Sequence, residues 1–304
     1  MTSTPDRPNP ATADPLGAAP AATADPRRTP RWIRSLLPSL IPSEARVAEA
    51  LLANAPAIAS SVSELAAQAQ TSPATVVRAC QSLGFSGFTE LRDALQHEPR
   101  AASESPPATP DASQTLQRTI AAGMQQLESM ATMLDPDVFA LVVKALVGAR
   151  RVLFATTSDL ALLGQYATFR FATVGRAVEA PTDAVTMHLV AAGLAPGDVC
   201  VAVGGSGANA LTVRIAQAAA AAGATLVAIT SYARGPLADI ADLHLIVGVP
   251  ASPLGERDHS RIRVSQLLVI DALQAAIREH GDGDQLTEAM FAALANYTYR
   301  RSGH

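Results

Sequence analysis

The chain has 304 residues, 48% of them hydrophobic and 4% aromatic, with a net charge of −4. That length allows two domains and a sizeable aliphatic core; the charge excludes a globally basic nucleic-acid binder but leaves room for a local reading surface. No apolar run approaches the ~20 residues of a membrane span and residues 1–30 lack the apolar stretch of a secretory signal, so a cytoplasmic protein without membrane contact is expected.

Residues 1–30, rich in Pro, Ala and Thr without hydrophobic periodicity, read as a disordered tail. Residues 31–96 read as a small all-helical domain. In "PSEARVAEALLANAPAIAS" Ser43 is a candidate N-cap, and Val47, Leu51 and Leu52 return to one face. In "SVSELAAQAQ" Ser61 or Ser63 offers the cap, and Leu65 and Ala69 face inward. Next comes "TSPATVVRACQSLGFSGFTELRDAL": Ser72 caps, Pro73 takes the first helical position, Val76, Cys80 and Leu83 form a stripe, and Gly84 stops the helix. Phe85 and Phe88 plug the core, and Thr89 stands near the cap of the next helix.

Residues 97–113, proline-rich and without large apolar side chains, read as a linker. From 114 to 300 the pattern alternates. Helices are expected at 115–134 and 137–148. "RRVLFAT", "AVEAPT", "GDVCVAVGG", "ATLVAITS" and "LHLIVGV" read as strands. "LALLGQYATFRFATVG", "AVTMHLVAAGL", "ANALTVRIAQAAAAAG" and "RIRVSQLLVIDALQAAIREH" read as helices. Buried apolar strands between helices predict an α/β domain with a central parallel sheet flanked by helices. Cys80 and Cys200 lie far apart with no His or Cys at ligand spacing, so neither a metal site nor a disulfide is expected. No dinucleotide, Walker or Ser/His/Asp arrangement suggests a cofactor or a nucleophile.

Ser61–Gln70 followed by Ser72–Leu83 has the spacing of a helix-turn-helix. Ser72, Ala74, Thr75, Arg78 and Gln81 lie opposite the Val76/Cys80/Leu83 stripe and are the candidate DNA contacts. Thr75 and Ala74 suit bases or thymine methyls, and Arg78 suits guanine. The charges of residues 31–97 cancel, Arg31, Arg34, Arg46, Arg78 and Arg92 against Glu44, Glu49, Glu64, Glu90 and Asp93. Such a head binds weakly alone and calls for paired copies. On periodicity alone, a helical packing module that never meets DNA stays open.

The run "SVSELAAQAQTSPATVVRACQSLGFSGFTELRDAL" resembles the N-terminal domain of RpiR/MurR-type transcriptional regulators, with the Ser-x-Ala-Thr-Val-Val-Arg helix, Leu-Gly-Phe and Phe-x-Glu-Leu in order. The stretches "GDVCVAVGGSGANALTVRIAQAAAAAGATLVAITS", "GPLADIAD" and "RIRVSQLLVIDAL" are similar to the SIS (sugar isomerase) domain that accompanies it. The resemblance implies Ser72, Thr75 and Arg78 as DNA contacts.

A ligand is expected at the strand ends, where small and hydroxyl residues let backbone N–H groups close on an anion. The candidates are Thr157, Ser158, Gly205, Ser206, Gly207, Asn209 and Arg263, with Arg234, Arg257, Arg261 and His259 as further sources of charge. Against the family pattern the first loop reads Thr156-Thr157-Ser158-Asp159-Leu160-Ala161, without its glycines, and Asp159 repels a phosphate unless it points away. The second loop has Gly204 in place of a hydroxyl and Asn209 in place of Thr. The leading expectation is a homodimeric regulator that holds a palindromic double-stranded operator and answers to a small effector such as a phosphosugar. The alternatives are a sugar-phosphate isomerase, with Glu256 and His259 as its bases, and a ligand-independent DNA-binding protein whose SIS domain only dimerises.

Overall fold

The structure, a computed structural model, describes residues 29–53, 61–96, 112–248 and 260–280, with Glu288 and Ala292 as further helical positions. The expected tail 1–30 and linker 97–113 lie outside these residues except at their margins, as do Glu256, Arg257 and His259. Two compact units divide the chain, one holding Met1–Ile33 and Leu40–Glu104 and the other Arg34–Ser39 and Ser105–His304.

The first unit is helical. Helix α1 spans Thr29–Leu36, of which Thr29–Ile33 belong to this unit; α2 spans Pro42–Ala53, α3 Val62–Gln68, α4 Pro73–Ser82 and α5 Phe88–Gln96. Helix α2 starts one residue before the expected Ser43 cap. Pro42 takes the first position and the Ile41 carbonyl accepts the N–H groups of Glu44 and Ala45, so Ser43 lies inside the helix. Ser61 caps α3 by accepting the Glu64 N–H, and Ser72 caps α4 by accepting that of Thr75. The turn between these helices closes with Gln70 at φ 51, while Thr71 N–H reaches the Ala66 carbonyl. Arg46 Nε on α2 donates to the Ala69 carbonyl and pins this turn. Gly84 at φ +89 ends α4, with Phe85 N–H on the Cys80 carbonyl and Trp32 Nε1 on the Leu83 carbonyl. Thr89, expected near the cap of α5, lies within it; the Glu90 carboxylate reaches back to Ser86 N–H and Oγ instead.

The second unit is a parallel sheet covered on both faces. Helices α6 (Ala112–Met133) and α7 (Pro136–Gly148) precede β1 (Val152–Thr156), α8 (Ala161–Ala172) and α9 (Ala184–Ala192). Then follow β2 (Val199–Val203), α10 (Ala210–Ala221), β3 (Thr225–Thr230), β4 (Leu243–Ile246) and α11 (Ser260–Glu279). The strands pair in parallel in the order β1-β2-β3-β4. Alternate residues sort the core into two layers. Phe154, Val201, Val203, Val227 and Ile229 pack with Leu146 of α7, Phe171 of α8 and Leu273 of α11. Ala155, Cys200, Ala202 and Ala228 meet Met187 of α9 and Ile215, Ala216 and Ala219 of α10. This second layer has no aromatic side chain and half of its buried residues are alanines, packed with Leu153, Leu226 and Leu237.

The run "AVEAPT" makes no full strand: Glu179 alone bridges Leu153 of β1. Pro181 has no N–H to continue the ladder. Beyond β4, Gly248 lies so close to α6 that an added Cβ would stand 2.8 Å from the Met130 nitrogen. Buried Gln126 of α6 donates there to the Val247 and Gly248 carbonyls.

Candidate functional site

In the first unit the surface of interest is the outer face of α4. This helix packs against both α2 and α3, so its buried stripe is wider than a three-residue repeat and takes in Thr75, Val76, Ala79 and Cys80. Thr75 is only 6% exposed. Its Oγ1 lies 2.9 Å from Ser72 Oγ and accepts from Arg78 Nη2 at 3.4 Å. This corrects the expectation that Thr75 faces outward with the other candidates: its hydroxyl ties the helix start to the Arg78 guanidinium. Ser72, Ala74, Arg78 and Gln81 are exposed as expected. The face also carries Val77, 40% exposed, which the sequence pattern did not single out.

In the second unit the loops after β1 and β2 enclose a cleft of about 180 Å³ at the carboxyl ends of the strands. It is lined by Thr157, Ser158, Asp159, Leu160, Gly204, Gly205, Ser206, Gly207, Asn209 and Thr212. Thus all the expected ligand residues except Arg263 line one cavity, joined by Thr212, which sequence reasoning missed because its hydroxyl sits inside a regular helical turn.

Several side-chain oxygens in this cleft are already engaged. Thr157 Oγ1 is 2.7 Å from Thr212 Oγ1. Asn209 Oδ1 caps α10 by accepting from Leu211 and Thr212 N–H. Ser206 Oγ accepts from Ala208 N–H at 3.3 Å. Backbone donors are left over: among the described residues no partner is found for the N–H groups of Gly205, Ser206 and Gly207. The Gly205 and Gly207 carbonyls accept from Ser231 and Leu237, which anchors the loop to the exit of β3. Gly207 has φ +68, and an added Cβ would stand 3.3 Å from Thr230 Cγ2, so the loop path needs a glycine there. Ser158 holds φ 58, an uncommon conformation for a serine, at the rim.

Arg263 of α11 does not line the cleft. Its Nη1 donates to Asp159 Oδ2 at 3.1 Å, so the carboxylate that would repel an anion is paired with the cation proposed to attract one. Arg234 is exposed, and the side chain of Arg261 lies outside the described residues. Nearby, His244 Nε2 is 2.7 Å from Thr230 Oγ1, whose hydroxyl donates to the Tyr232 carbonyl. Nε2 therefore carries a proton and donates. Burial pushes the His244 pKa down to about 4, against a smaller upward pull from Asp239. Among the described residues no group of three His, Cys, Asp or Glu side chains could hold a metal, and no helix is long and apolar enough to cross a membrane.

Residues 30–102 match the family model for the helix-turn-helix domain of the rpiR family, and residues 145–276 match that for the SIS domain. HTH-type transcriptional regulator HexR of Pseudomonas aeruginosa is 30% identical over 258 residues, 81% of this chain and 87% of that protein. An HTH-type transcriptional regulator of Haemophilus influenzae is 30% identical over 255 residues, 81% of this chain and 88% of its own. Among solved structures, the Vibrio vulnificus NanR protein complexed with ManNAc-6P covers 88% of this chain and 98% of its own, with a TM-score of 0.56 at 21% identity. That likeness shows the fold.

Proposed function

The chain belongs to the rpiR family of helix-turn-helix transcriptional regulators that carry a SIS domain, and from that premise we propose that it binds operator DNA as a homodimer under the control of a small anionic metabolite, a phosphosugar or a close relative. The observation that carries the DNA part is the outer face of α4, where Ser72, Ala74, Arg78 and Gln81 stand exposed on a helix capped at its leading end. Arg78 takes guanine, Ser72 and Gln81 take phosphate or base edges, and Thr75 holds Arg78 in place. With little net charge on the head, useful affinity comes from two copies on a palindromic site. The exposed row Leu116, Ile120 and Met124 on α6 is the surface a second copy would cover. Such a protein acts where the DNA is, in the cytoplasm.

The effector reading rests on the free amides of Gly205, Ser206 and Gly207 in the loop that leads from β2 to the Asn209 cap of α10, with Ser158 also lining the cleft. The NanR protein of the same fold is complexed with a phosphorylated sugar, ManNAc-6P, which supports an anion in this cleft. Arg263 stays on Asp159 and cancels the lining carboxylate that would otherwise oppose the anion. The isomerase alternative fits less well: of the described lining residues only Asp159 can take up a proton, and it is tied to Arg263.

The test is a binding titration of the full chain with DNA from its own upstream region. Arg78→Ala is expected to weaken specific binding by more than about tenfold. A wild-type protein that is folded and dimeric yet selects no sequence would overturn the DNA reading. Operator affinity unchanged across a phosphosugar panel would overturn the effector reading.

A further inference from the structure

We propose that Val77 is a specificity-determining residue of α4, seated on the C5-methyl group of a thymine beside the guanine that Arg78 takes. This rests on the DNA-binding reading above and adds a base-reading contact to it. With Thr75, Val76, Ala79 and Cys80 buried, Ala74, Val77, Arg78 and Gln81 follow one another at intervals of three, one and three residues along a single exposed strip. Val77 and Ile41 are the exposed large hydrophobic side chains among the described residues of this unit, and Val77 alone lies on α4. An isopropyl group offers phosphates and polar base edges no hydrogen bond. The one apolar group that the major groove presents is the thymine methyl. Arg78 is the next residue and its guanidinium is tethered to Thr75 Oγ1, so methyl and guanine readers sit side by side and predict a thymine next to a guanine in each half-site.

The experiment uses the full chain. Bound sequences are selected from a random DNA pool, and each thymine of the recovered half-site is replaced by deoxyuridine, which removes only the methyl group. At one thymine per half-site the wild type is expected to lose about fourfold in affinity, the worth of burying one methyl. In Val77→Ala that loss should fall below about twofold, while the other positions are unchanged. Val77 is exposed, so the variant should melt with the wild type; Val77→Thr, which keeps the shape and adds a hydroxyl, should weaken binding to the same thymine. Equal uracil penalties in wild type and Val77→Ala would overturn this inference and leave DNA binding standing. Failure to select any sequence would overturn both.

Discussion

Replacing Gly248 by Ala perturbs the point where the chain leaves β4 and crosses α6. The backbone there holds φ +85, a conformation that costs a residue with a Cβ about 1 kcal/mol. The new methyl group would stand 2.8 Å from the Met130 nitrogen, 3.1 Å from Ser129 Oγ and 3.2 Å from Gln126 Nε2. Met130 N–H belongs to a regular helix and cannot move alone, so the segment after β4 must lift. Lifting it breaks the two bonds from Gln126 Nε2, at 3.3 and 3.0 Å, to the Val247 and Gly248 carbonyls. At about 1 kcal/mol each, these bring the total to about 3 kcal/mol. For a unit of this size that corresponds to a fall in Tm of about 6–12 °C. The assay is thermal unfolding of the full chain followed by far-UV circular dichroism, with Gly148→Ala as control, since a Cβ there meets nothing within 4 Å. A Gly248→Ala melting point within about 2 °C of wild type would show that α6 and the β4 exit are not locked together as described.

Two more outcomes follow from the chemistry of buried groups. The folded-state pKa of His244, about 4, lies below the ordinary value of 6.5, so the neutral ring contributes stability that is complete above pH 6.5 and is lost as the pH falls from there toward 4. His244→Gln keeps a donor for Thr230 but does not titrate, and should flatten that part of the profile in urea melts; parallel wild-type and variant curves would refute the assignment. Burial pushes the Cys80 thiol up to about 11 and the Cys200 thiol up to about 12, so neither should react with a thiol reagent at pH 8 until denaturant is added, and prompt labelling of the native protein would contradict the packing of α4 or β2.

Much of this protein was legible in its sequence because local chemistry writes it there. Ser72, Pro73 and Gly84 mark where α4 begins and ends, whatever surrounds it. The apolar runs of β1, β2 and β3 can be buried on both faces only in a covered parallel sheet. The cleft was legible for a similar reason, since glycines and hydroxyl residues between a strand end and a helix start belong to a loop at the sheet's carboxyl edge.

What the sequence left open depends on neighbours distant in the chain. The burial of Thr75 follows from α4 being flanked by two helices rather than one, and a stripe read from spacing does not reveal its width. The same packing leaves Val77 outside, although valine is a core residue by composition. Glu179 reaches β1, but Pro181 limits it to one bridge. The role of Asp159 turns on Arg263, 104 residues later: alone its carboxylate opposes an anion, and paired at 3.1 Å it is neutralised. Local propensity and hydrophobic pattern determined the elements and their order. Packing between remote segments decided which side chains of those elements stay exposed, because burial and charge compensation are properties of the assembled surface.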